Sequence, residues 1–290
     1  MRIGAVATGD RPDDLADLAS VSITDVRLAV RWPDLQPAAD RWSGPAVEAL
    51  TTAIAAVREA GLTPWLALLG RRTPNWFEDE GGFADAKTAG RWWPRYVEGV
   101  ADRVGDQAGG WFPMVGPVGL AEHAFAGRDE TVLAMGRRTL LVAWREAWRV
   151  LHGGPPVATA IGLQPWDDEW PRALRTGEPV PNGLVLEGLA GACDLLGGLL
   201  TVNRGSSGEA LGELLVRLAA EGPDRPLAVL ATLDGGSDDE RADAALVLAE
   251  AVRLAGADGV TVDLVVGDPL VGDDGGPAAA ADVLRTLTES

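Results

Sequence analysis

Eight short apolar runs, separated by turn-rich and helix-period stretches, constrain this chain more than any other feature. The runs are Ile3–Ala7, Asp25–Val30, Thr63–Leu69, Trp111–Val115, Val157–Leu163, Leu199–Asn203, Leu227–Thr232 and Gly259–Val265. Between them lie amphipathic segments such as Val47–Ala60, Ala89–Val104, Thr131–Leu151, Glu209–Ala220 and Asp238–Leu254. Strands alternating with helices require a parallel sheet with crossover helices, and eight such units close into a (β/α)8 TIM barrel. A chain of 290 residues accommodates that barrel as one domain spanning 1–290. An open doubly wound sheet is the alternative. It lacks its usual mark, because Gly4 and Gly9 are too sparse to form a Gly-x-Gly-x-x-Gly loop after the first strand.

The punctuation agrees with this pattern. Gly61 follows a predicted helix end at Ala60, where a left-handed cap belongs. His152-Gly153-Gly154-Pro155-Pro156 stops the fourth long helix. Ser237-Asp238-Asp239-Glu240 opens another with a hydroxyl cap and first-turn carboxylates that complement the helix dipole. Gly267–Pro277 reads as a loop before a final helix, Ala278–Leu287.

The charge balance excludes some functions. With 43 acidic against 25 basic residues the chain carries −18, a surface that repels phosphate backbones and anionic lipid heads. Neither a nucleic acid nor a membrane is therefore expected as a partner; a small-molecule substrate is, and the oligomeric state stays open. The single cysteine, Cys193, allows no internal disulfide and fits a reducing cytoplasm. The apolar run after Met1-Arg2 is too short and too interrupted by Gly4 for a signal-peptide core. No run reaches the roughly 18 residues of a membrane helix.

One region carries a family likeness. Arg27-Leu28-Ala29-Val30-Arg31-Trp32-Pro33-Asp34-Leu35-Gln36-Pro37 resembles the second-strand signature of family 1 glycoside hydrolases, the β-glucosidases. Gly61–Leu69 resembles their third strand, and Pro74, Glu78, Gly81, Gly82 and Phe83 the loop that follows it. The likeness runs from about Asp25 to Phe125, returns near Leu227–Gly235 and is thin elsewhere. The family's chains are longer, which implies shortened βα loops here.

The same comparison implies that the family's chemistry is missing. Where those enzymes carry Asn-Glu-Pro with the acid/base Glu, this chain has Val115-Gly116-Pro117. Their nucleophile motif, Thr-Glu-Asn-Gly, falls on Thr232-Leu233-Asp234-Gly235, which sets Leu233 at the nucleophile. The His-Trp pair after the third strand becomes Gly70-Arg71, and the eighth-strand Trp falls near Asp263. A retaining glycosidase needs two carboxyl groups about 5–5.5 Å apart. Hydrolysis of ordinary β-glycosides is accordingly not expected.

In a (β/α)8 barrel, function sits at the C-terminal ends of the strands. The catalytic candidates are His123, with Asp234 or Glu122 as its partner. An imidazole titrates near neutrality and can serve as base or acid; the plainer reading is a surface histidine beside Glu122. Asp234 is either a mouth carboxylate or the first residue of an Asp-Gly-Gly turn. The substrate-binding candidates are Trp32, Arg71, Trp166, Asp167 and Asn203. Arg71 suits an oxyanion or a rim ion pair. Trp166-Asp167-Asp168-Glu169-Trp170 sets three acids between two indoles, either a lid or a solvated loop. Trp144 with Trp148, and Trp92 with Trp93, read as helix packing. No metal site and no cofactor is expected.

Family 1-like proteins include dehydratases of antibiotic biosynthesis. The resemblance therefore implies a lyase that eliminates water from a fairly apolar intermediate by general acid/base catalysis. The alternatives are a non-catalytic pseudo-glycosidase that binds a ligand or partner, and a cyclase or isomerase on the same scaffold.

Overall fold

A computed structural model describes residues 1–7, 13–70, 72–116, 130–163, 191–222, 224–270 and 278–288. The elements, in chain order, are β1 (Arg2–Ala7), α1 (Asp13–Ser20), β2 (Asp25–Ala29), α2 (Trp32–Leu35), α3 (Gly44–Glu59) and β3 (Thr63–Leu69). Then come α4 (Asn75–Asp79), a 3-10 turn (Gly82–Ala84), α5 (Ala86–Val104), β4 (Gly110–Met114), α6 (Glu130–Leu151) and β5 (Ile161–Gly162). The remainder is β6 (Leu196–Val202), α7 (Gly208–Glu221), β7 (Leu227–Leu233), α8 (Asp238–Ala257), β8 (Val262–Asp268) and α9 (Ala279–Arg285).

Every strand pairs in parallel, in the order β4-β3-β2-β1-β8-β7-β6-β5. That order is a ring cut once, between β4 and β5. The cut is bridged where Trp111 pairs with Val157. Trp111 N–H donates to the Pro156 carbonyl (2.9 Å), Ala158 N–H to that of Trp111 (2.9 Å) and Gly116 N–H to that of Ala160 (2.7 Å). The chain is thus a (β/α)8 barrel and not an open doubly wound sheet.

The helices form where local chemistry asks for them. Ser43, Ser207 and Ser237 cap α3, α7 and α8, each hydroxyl accepting from the backbone N–H three residues on. Gly61 has φ +78°, and the bonds Gly61 N–H to Arg58 O (2.9 Å) and Leu62 N–H to Val57 O (3.0 Å) complete a Schellman cap.

Three strands depart from the sequence reading by more than one residue. β6 begins at Leu196 and not Leu199. β8 begins at Val262 and not Gly259, because α8 runs on to Ala257 and Gly259 (φ +87°) forms its own left-handed cap. Of Val157–Leu163, only Ile161–Gly162 is a regular strand. Thr159 explains this: its hydroxyl accepts from Gly197 N–H and donates to Gly197 O, replacing main-chain ladder bonds.

The pleat sorts the core into two layers. Ile3, Val26, Leu28, Leu66, Leu68, Val229 and Leu233 face the helices. Trp65, Ala67, Phe112, Ala158, Ala160, Ala228, Leu230, Leu264 and Val266 form a separate cluster inside the ring. Its N-terminal end is closed by polar groups. Asp25, 1% exposed, accepts from Trp65 Nε1 (2.7 Å), Thr24 Oγ1 (2.5 Å) and Arg2 Nη1 (3.1 Å), while Arg2 also reaches Asp263 (3.0 Å). Asp25→Ala leaves a buried indole N–H and a guanidinium without their acceptor. We expect it to cost about 2–4 kcal/mol of stability, measured by urea unfolding of the purified protein.

Candidate functional site

The inward-facing side of the pleat changes character toward the C-terminal ends of the strands. Thr201 and Thr232 are exposed while their neighbours Val202 and Leu233 are buried, so one face of β6 and β7 opens to solvent there and the other does not. Thr201 pairs with Thr232, and Thr232 with Asp268, which sets three polar side chains in one row across β6, β7 and β8. Arg27 of β2 is the register partner of Val6 on β1. Its guanidinium reaches over β1 to Asp268 at 3.9 Å. Val6, Val115 and Leu199, each partly buried, pack against the apolar cluster inside the ring.

Arg27 and Asp268 are the electrostatically distinctive pair of the mouth. Burial raises the Asp268 carboxyl above the ordinary carboxylate range, and the nearby Arg27 charge only partly counters it. Burial also lowers the Arg27 pKa, with the Asp268 carboxylate opposing the shift. A carboxyl whose proton affinity is raised at a solvent-facing mouth is a candidate for proton donation. Neither residue stood out in the sequence as a site residue. Arg27 was legible only as the first residue of the second-strand signature, and Asp268 only as one polar group among several at strand ends.

The predicted site residues fare differently. His123, Glu122, Arg71, Trp166 and Asp167 lie outside the described residues. Asp234 is exposed, and its N–H continues the ladder to Val202 O (2.8 Å), in phase with Thr232. Asn203 is exposed at the end of β6, but its carboxamide oxygen accepts from Gly205 N–H (2.9 Å) and Ser206 Oγ (3.4 Å), within its own turn. Trp32 is not a pocket wall. It is 1% exposed, stacks on Tyr96 (4.4 Å), touches Phe77 and Trp93 and donates from Nε1 to Gln36 Oε1 (2.9 Å). Among the described residues no group of three or more His, Cys, Asp or Glu side chains is placed to hold a metal.

No family model matches the sequence. Among solved structures the chain is similar to a β-glycosidase from Pyrococcus horikoshii, with a TM-score of 0.80 at 16% identity over 96% of this chain and 83% of that one. It is similar to Fpglu1 from Fervidobacterium pennivoraus, with a TM-score of 0.82 at 13% identity over 97% and 84%. A family 1 β-glucosidase from Thermotoga maritima gives 0.74 at 16% identity over 90% and 76%. The fold is that of a β-glycosidase barrel.

Within this (β/α)8 barrel, two positions singled out by the sequence read differently in three dimensions. Leu233, matched to the nucleophile, is 2% exposed and packs in the helix-facing layer. A nucleophile must face the mouth, so that match is one residue out of phase with the pleat; Thr232 and Asp234 are the mouth-facing neighbours. Asp263, matched near the eighth-strand Trp, lies at the N-terminal end of β8 and pairs with Arg2 at the opposite end of the barrel. Gly116, by contrast, does stand at the mouth end of β4. Its φ is +64°, a left-handed conformation that a glutamate rarely adopts, and its N–H is held by Ala160 O.

Gly116→Glu is therefore expected to destabilise the barrel by about 1–2 kcal/mol without conferring hydrolysis of a chromogenic β-glucoside. Hydrolysis by that variant would show that the β4 carboxylate alone was lacking. Trp32→Ala should cost about 3–5 kcal/mol in denaturant unfolding; a change near zero would return Trp32 to the list of ligand contacts.

Proposed function

We propose that this glycosidase-like barrel does not hydrolyse glycosides and works as a lyase, eliminating water from a fairly apolar small molecule at its C-terminal mouth. The observation that carries the reading is the half-buried Arg27–Asp268 pair at the mouth, in which burial raises the proton affinity of the carboxyl. The left-handed backbone at Gly116 supports the loss of the acid/base carboxylate at the end of β4. The names of the structural neighbours describe those proteins; at 13–19% identity their likeness concerns fold.

Dehydration of a β-hydroxy carbonyl compound needs three functions and no covalent intermediate. A base removes the α-proton, a donor holds the enolate oxygen, and an acid protonates the departing hydroxyl so that it leaves as water. Asp268 in its neutral form is the acid of this proposal. The Arg27 guanidinium holds the oxygen on which charge develops. Asp234, or His123 with Glu122 from the segment after β4, is the base, and Arg71 is a second oxygen ligand. Val6, Val115 and Leu199 favour an apolar substrate body. A natural-product intermediate, such as those of antibiotic biosynthesis, fits this description. A cytoplasmic site of action belongs to the same proposal, and among the described residues no helix is long and apolar enough to cross a membrane.

The test is metabolite mass spectrometry of host extracts with and without the gene. A compound heavier by one water should accumulate without it, and the purified protein should convert that compound to the wild-type product. Accumulation of an isomer of equal mass would indicate a cyclase or isomerase. Unchanged metabolites would leave a binding protein, and release of nitrophenol from a chromogenic glycoside would refute the proposal outright.

The pH profile separates the acid role from a structural one. If protonated Asp268 is the acid, kcat/KM falls as pH rises through its raised pKa, and Asp268→Asn abolishes turnover while the protein stays folded. Stability follows the same sign. The folded state holds the Asp268 proton to higher pH than the unfolded chain, so ionisation destabilises the fold as pH rises through that window. Asp268→Asn should remove that contribution to the pH dependence of unfolding.

A further inference from the structure

We propose that two copies of this chain associate through α6 about a two-fold axis at Val142. α6 buries one face, with Leu140, Ala143, Trp144, Ala147 and Leu151 against the barrel. Its outward face is not polar throughout. Val142 is 54% exposed and Met135, two turns earlier, is 52% exposed, two of the few large apolar side chains that the described residues leave in water. Beside them α5 and α6 frame a shallow groove, floored by Trp93 and Ala143 and opened by Gly90, where nothing lies within 4 Å of a built Cβ. Its volume, about 200 Å³, falls below the roughly 300 Å³ at which small-molecule sites begin. It is the size to accept a side chain.

The occupant is indicated by the charges around Val142. Arg138 lies four residues before it and Glu146, which also holds Arg149 of its own helix (3.0 Å), four residues after it, both on the groove, so a cation stands one helical turn to one side of the apolar centre and an anion one turn to the other. An antiparallel pair of α6 helices crossing at Val142 sets Arg138 of each copy against Glu146 of the other. The pattern complements itself, as an isologous contact requires. α6 as a whole carries four arginines and two glutamates on a chain of net charge −18. The 22 residues of α6 present about 33 Å of helix to the contact.

Light scattering across a concentration series should show a dimer that dissociates on dilution. Val142→Asp should abolish the dimer while matching the melting curve of the native chain at concentrations where that chain is monomeric. Arg138→Glu and Glu146→Arg should each weaken association about tenfold or more, and the double variant R138E/E146R should restore it, because the cross-copy pairs are then re-formed with reversed sign. Val142→Cys, oxidised, should give a disulfide-linked dimer on a non-reducing gel, the native Cys193 being buried. A monomer at every concentration overturns the proposal. So does a dimer that tolerates Val142→Asp, or one whose charge-reversed single variants are not rescued by the double variant, since either puts the contact elsewhere.

Discussion

Parallel strands in a closed ring have no face to give to water along most of their length. One face must pack under helices, and the other must fill a barrel interior too narrow for eight large side chains at each level. This chain meets the second demand unevenly. Trp65 and Phe112, with ring centroids 5.1 Å apart, occupy the interior from β3 and β4, while the segment leading into β5 contributes Ala158 and Ala160, and β7 contributes Ala228. Gly110 is part of the same arrangement: a Cβ there would stand 2.4 Å from the Trp65 ring. The N-terminal end is then closed by Asp25, Arg2 and Asp263, and only the C-terminal end presents inward-facing residues to solvent.

That end is held open and shaped by aromatic residues outside the barrel. Trp32 follows β2, Trp76 and Phe77 lie on α4 after β3, and Trp92, Trp93 and Tyr96 lie on α5. They form a continuous cluster whose polar edges are all used. Trp32 Nε1 donates to the Gln36 side chain and Trp76 Nε1 to the Gln36 carbonyl, Trp92 Nε1 donates to Glu80, Trp93 Nε1 to Ala143 O and Tyr96 OH to Leu68 O. A buried indole with its N–H satisfied is a strut. The tryptophan content of this chain therefore speaks first of rigid walls around β2 and β3, and only secondarily of ligand contact.

The pleat also decides which polar residues can meet. Arg27 and Asp268 are 241 positions apart in sequence and two strands apart in space, brought to one side of β1 because the ring joins β8 back to β1. Neither partner is unusual alone. Their raised and lowered proton affinities come from shared burial at the rim, where water solvates a charge poorly and each ion is the other's main compensation.

Alternation of apolar runs with amphipathic stretches was enough to determine a parallel sheet with crossover helices, because a run of buried β-branched residues between helices has no other stable partner than a parallel neighbour; closure into a ring was decided by the pairing across β4 and the segment before β5. Caps were equally readable, since a serine before a helix and a glycine after it act on backbone groups a few residues away. Strand phase was not. Whether Leu233 or its neighbours face the mouth depends on a register that one inserted or deleted residue reverses, and a match of motifs does not count pleats. Nor did the sequence disclose that Thr159 would interrupt β5 with its hydroxyl, or that Trp32 would be sealed in a cluster of rings. Local chemistry wrote the elements into the chain. Only ring closure and burial selected the residues that face one another at its mouth, because those contacts join strands distant in sequence and their energies exist only once water has been excluded.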